Sequence, residues 1–76
     1  MDVTHKEIFE IIENAGVAAD ISQINNDTSL TDAGVDSLDM ANVLLGIEEK
    51  YDIKIPDEDM DKLDSINAIV AYLAKK

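Results

Sequence analysis

The chain has 76 residues with no cysteine and no arginine, and its seventeen acids against six lysines give a net charge of −11 at pH 7. That composition excludes disulfide staples, thiolate metal sites, Cys/His nucleophiles and arginine phosphate clamps; it also argues against nucleic acid or an anionic membrane as a partner, since both need a basic face. An apolar share of 46% suits one small globular domain with a thin core, and with no run near the ~20 residues of a membrane span and no signal-peptide pattern, the expectation is a soluble cytoplasmic monomer whose acids best fit a basic protein partner, the alternative being that they only keep a small protein soluble.

The first helix opens on a capping box. In Thr4-His5-Lys6-Glu7 the Thr4 hydroxyl can accept from the Glu7 amide while Glu7 reaches back. Ile8, Ile11, Ile12 and Ala15 then recur on one helical face, which predicts a helix over 5–15 stopped by Gly16. Residues 16–36 form a long connection rich in Asp, Asn, Ser, Thr and Gly. Val17, Ile21, Ile24, Leu30 and Val35 suggest that it is pinned to the body, and a loop of this length inside a compact domain is often functional.

The second helix is expected from Ser37 to Lys50 or Tyr51, with Asp36 as N-cap and Asp39 at the third position. Residues 52–56 break it. Residues 57–62 read as a short acidic helix after Pro56, and Asp64 or Ser65 caps a last helix with an Ile66, Ile69, Val70, Leu73 stripe. Lys75 and Lys76 suit its C-terminal dipole. No strand alternation or repeat is visible, so the fold class is all-α: a small four-helix bundle of three main helices and one short one, with a long loop between helices one and two.

No enzyme constellation can be assembled. The only histidine, His5, lies in a helix cap, and Gly16, Gly34 and Gly46 make no phosphate-binding loop. Asp57, Asp59 and Asp61 begin like an EF-hand, but Lys62 stands where Gly is required and Ala68 where Glu is. No catalytic residue and no metal site is expected.

Ser37 sits in the first turn of the second helix, near the positive end of the dipole, where a phosphodiester is favoured. It could equally be an ordinary first-turn residue beside a cap. The rest of the helix bears on that choice. At about 100° per residue, Met40, Val43, Leu44, Ile47 and Tyr51 share one arc that suffices as a core face. Leu38, Ala41 and Leu45 fall elsewhere, with Leu38 and Leu45 roughly opposite. An apolar stripe beside an exposed serine, flanked by Glu48 and Glu49, suggests a docking surface, unless the long loop covers part of it.

The stretch GVDSLDMANVLLGIEEKYDIKIPDEDMDKL, with SINAIVAYL after it, resembles the acyl carrier proteins of the dissociated bacterial type, closely over residues 30–73 and more loosely in the first helix. The resemblance implies a non-enzymatic carrier, with residues 1–76 as one carrier domain. It implies that Ser37 bears a 4′-phosphopantetheine arm, added from coenzyme A by a phosphopantetheinyl transferase, whose thiol holds acyl groups as thioesters for partner enzymes of fatty acid or related lipid biosynthesis. It assigns Leu38, Ala41 and Leu45 to apolar partner contacts, and Asp36, Asp39, Glu48 and Glu49 to basic patches on acyl-transferring, condensing and acyl-modifying enzymes. Three departures point instead toward a specialised polyketide, modified-lipid or aminoacyl carrier: Asn42 where an acid is common, a small Ala41, and Gly46 inside the second helix, which costs up to about 1 kcal/mol relative to alanine. An acidic helical interaction module that is never modified is the reading from another class.

Overall fold

The computed structural model describes residues 2–76. Four helices follow one another: α1 (His5–Asn14), α2 (Ser37–Tyr51), α3 (Asp57–Met60) and α4 (Ile66–Ala74). No strand occurs among the described residues. The fold is all-α, with α1 packed against both α2 and α4.

The helix starts follow the side-chain caps. Thr4 Oγ1 accepts from the Glu7 amide at 3.1 Å. The reciprocal half of the expected capping box is redirected. Glu7 Oε1 takes the Thr4 hydroxyl at 3.3 Å, and Oε2 takes the Tyr51 hydroxyl at 3.0 Å, linking α1 to the end of α2. This bond is the main reason the Glu7 carboxyl lies below the usual range. Burial, then the Glu7 carboxylate, pushes the Tyr51 phenol up to about 12. α1 ends at Asn14, with Ala15 as its cap and Gly16 turning away at φ +73°, a left-handed conformation that glycine adopts without steric penalty.

Of the two candidates for the last cap, Ser65 holds the place: its hydroxyl accepts from the Ala68 amide at 3.0 Å. The acidic helix is shorter than the 57–62 expected. α3 stops at Met60, and the chain turns through Lys62 N→Asp59 O and Leu63 N→Met60 O bonds of 3.0 and 3.1 Å. Leu63, at the end of this turn, is buried in the core.

The core collects Ile8, Ile11 and Ile12 from α1, Val43, Leu44 and Ile47 from α2, and Ile66, Ile69 and Leu73 from α4, together with Leu30, Val35, Ile55 and Leu63 from the connections. Gly46 has a packing reason. A Cβ there would lie 3.1 Å from Ile11 Cγ2, so the glycine lets α1 approach α2 closely.

The long connection is ordered by local bonds. Asp20 caps a 3-10 turn over Ile21–Gln23, which sequence periodicity does not predict. Further on, Gly34 N→Thr31 O and Val35 N→Leu30 O bonds of 3.1 and 3.0 Å close a turn with Gly34 at φ +103°. That turn delivers Asp36 and Ser37 to the start of α2.

Candidate functional site

Three anchors fix the approach to α2. Leu30 is fully buried, and its amide donates to the Asp64 carbonyl at 2.7 Å. The Asp64 carboxylate accepts from the Ser29 hydroxyl, from the Thr31 amide at 3.0 Å and from the Thr31 hydroxyl at 2.7 Å. Farther back, the Asn67 amide donates to Asn26 O at 3.0 Å, and its side chain bonds Asp27 while pairing with His5 Nε2 at 2.7 Å. The loop is thus strapped to Asp64, just before α4, and to Asn67 in its first turn, more than thirty residues away in the chain. Local patterning carries no signal of that pairing.

At the end of this strapped loop, Asp36 Oδ1 accepts from the Asp39 amide at 2.8 Å and starts α2. Ser37 is the first helical residue and is exposed, and its hydroxyl makes no hydrogen bond among the described residues. Beside it opens a cavity of about 400 Å³, within the usual range for small-molecule sites. Asp36, Ser37 and Ala41 are among its lining residues, with Val35, Met40 and Leu44 on the α2 side and Met60, Leu63 and Asp64 across from them.

The other residues singled out on α2 lie as follows. Leu38 is 74% exposed and Leu45 52%, the two large apolar side chains that stand clear of the core among the described residues. The core face is Val43, Leu44 and Ile47, with Met40 and Tyr51 half-buried, in agreement with the helical projection. Ala41 and Glu49 are exposed. Asp39 and Glu48 are half-buried and already have internal bonds. Asp39 Oδ2 accepts from the Ala18 amide at 3.3 Å, and Glu48 Oε2 from the Ile55 amide at 2.8 Å.

The EF-hand-like acids do not converge. Asp59 takes the Tyr72 hydroxyl at 2.7 Å and Lys62 at 3.5 Å. No group of three or more acids, histidines or cysteines among the described residues could hold a metal ion. No helix among them is long and apolar enough to cross a membrane.

An exposed, unbonded serine at a helix start, beside a mainly apolar cavity, is suited to bearing a long flexible group. Residues 8–73 match the family described as a phosphopantetheine attachment site. The acyl carrier protein of Bdellovibrio bacteriovorus is 39% identical over 74 residues, covering 95% of this chain and 92% of that protein. The acyl carrier protein of Campylobacter hominis is 38% identical over 72 residues, covering 88% of this chain and 90% of its own length. The chain belongs to the acyl carrier protein family.

Carriers of this family are not enzymes, and their cofactor is a covalently attached 4′-phosphopantetheine. The residues present fit such a group. Ser37 supplies a free hydroxyl, the start of α2 supplies amides and a positive dipole for a phosphodiester, and the cavity offers space for what the arm carries. The acyl carrier protein of Akkermansia muciniphila, 38% identical over 66 residues and 86% of this chain, extends the same likeness.

Proposed function

We propose that this carrier holds acyl intermediates of fatty acid or related lipid biosynthesis as thioesters on an arm attached to Ser37, and delivers them to partner enzymes. Residues 1–76 act as one carrier domain, in the cytoplasm. The observation that carries this reading is the exposed, unbonded Ser37 hydroxyl between the start of α2 and the cavity.

Loading is a phosphoryl transfer. Ser37 Oγ forms a bond to the pantetheine-side phosphorus of coenzyme A, and the phosphoanhydride bond breaks. Adenosine 3′,5′-bisphosphate leaves, and the hydroxyl proton passes to a base on the transferase. The carrier supplies no such base; it contributes the nucleophile and the docking face. Leu38, Ala41 and Leu45 provide the apolar contact. Asp36, Asp39, Glu48 and Glu49 direct a lysine- and arginine-rich patch toward Ser37. The bound acyl chain lies in the cavity between α2 and the α3 segment, where covering each methylene stabilises by about 0.8 kcal/mol.

The test is intact mass and peptide mapping after incubation with coenzyme A and a phosphopantetheinyl transferase. One arm should appear, on the peptide containing Ser37, and none on Ser37→Ala. Label on Ser22, Ser29 or Ser65 would refute the assignment. A chain that takes no arm would instead be an acidic interaction module.

A further inference from the structure

We propose that Met40 and Met60 determine which acyl groups the cavity holds. The proposal rests on the reading of Ser37 and its cavity given above.

The chain contains three methionines, and the two besides Met1 both line the cavity beside Ser37. They belong to different elements: Met40 to α2 and Met60 to the last residue of α3. Both are half-buried at the edge of the core. Leu44, Val35 and Leu63, which line the same cavity, are buried core residues and therefore fixed. A methionine side chain is unbranched, has three rotatable bonds and fills irregular space. The cavity therefore has a rigid floor and two adjustable walls.

The element that carries Met60 is also loosely constrained. α3 has four residues, its N-cap Pro56 makes no side-chain capping bond, and no residue of the helix itself is buried. Its side-chain ties are the bonds of Asp59 to the Tyr72 hydroxyl and to Lys62. A segment with few buried contacts lies at the low end of local stability, so the Met60 wall can shift outward at little cost. The alternative is that both methionines merely fill the core, like the aliphatic residues around them.

The two readings separate in the stabilisation that cargo confers, measured against the same variant without cargo. The carrier is loaded on Ser37 with butanoyl, octanoyl and dodecanoyl groups joined through an amide, which resists hydrolysis. Melting temperatures are compared with the unacylated arm-bearing form. The wild type should show a rise that depends on chain length. Met40→Ala and Met60→Ala should shift the largest rise to a longer chain, changing individual increments by on the order of 4 °C. Met60→Leu, which keeps the volume but adds a branch, should fold like the wild type and reduce the range of chains that stabilise. Ile24→Ala, on a half-buried residue outside the cavity, should lower all melting temperatures together and leave the increments unchanged.

Increments in all three methionine variants that parallel the wild type would overturn the proposal and leave the methionines as core filler. A wild type that gains nothing from any chain would overturn both the proposal and the acyl-cavity reading beneath it. Failure to load at all would overturn the Ser37 assignment, and the proposal with it.

Discussion

Burial tends to raise the Asp64 carboxyl pKa, but the bonds from Ser29 and Thr31 outweigh it and hold the group below the usual carboxylate range. Because the folded value lies below the unfolded one, the ionised carboxylate contributes stability that is complete above about pH 4. That contribution is lost as pH falls through the folded value. Asp64→Asn keeps an acceptor for Thr31 but presents a donor to the Ser29 hydroxyl. It should cost about 1–2 kcal/mol at pH 7, and its acid-unfolding curve should fall less steeply below pH 4 than that of the wild type. Chemical denaturation across pH measures both; an unchanged acid limb would mean that Asp64 does not anchor the loop. None of this was legible in the sequence, where Asp64 appeared only as a rival to Ser65 for the α4 cap. Its partners lie more than thirty residues upstream, beyond the reach of any local pattern. Gly46 was visible but could be read only as a helix-propensity loss. The close approach of Ile11 that explains it is a property of two helices rather than of one.

The helices themselves were well indicated, because capping and periodicity are local. α2 begins at Ser37 behind Asp36, and its core arc and its two exposed leucines were both assigned by angle alone. The 3-10 turn at Ile21–Gln23 was missed, since three residues are too few to show a period. The Asp20-x-Ser22 pair, in which the aspartate accepts from the serine amide at 3.0 Å, was the available signal. The structure also sharpens the test of the α2 docking face. Glu48 holds the Ile55 amide, so reversing its charge would disturb the α2–α3 connection as well as any partner. Glu49 is exposed, and so is Glu58 on α3. Glu49→Lys and Glu58→Lys alter the net charge equally. At low ionic strength Glu49→Lys should slow modification by the transferase by about threefold or more, and Glu58→Lys should do so less. The difference should close as salt shortens the Debye length below ~10 Å. Equal slowing by both variants would mean that net charge governs the encounter rather than the α2 face.

Over the whole molecule, charge was fully legible in the sequence while its placement was not. Seventeen acids and six lysines leave eleven acids that no lysine can pair one to one. The Lys62–Asp59 pair at 3.5 Å is itself largely exposed on the lysine side, and exposed pairs stabilise little. Like charges confined to a small fold repel one another and oppose the compact state, whereas the unfolded chain spreads them apart. Added salt should therefore stabilise this carrier. In a domain of this size a gain of about 1 kcal/mol raises the melting temperature by about 4–8 °C, and a rise of that order is expected between ~20 mM and ~0.5 M sodium chloride at pH 7 as the Debye length contracts. With no grouping of acids among the described residues able to hold a metal ion, the effect should follow ionic strength rather than the identity of the cation. Tetramethylammonium chloride should match sodium chloride at equal concentration. A flat or falling melting temperature would show that repulsion is not a significant term, and a rise with sodium alone would indicate specific ion binding instead of screening.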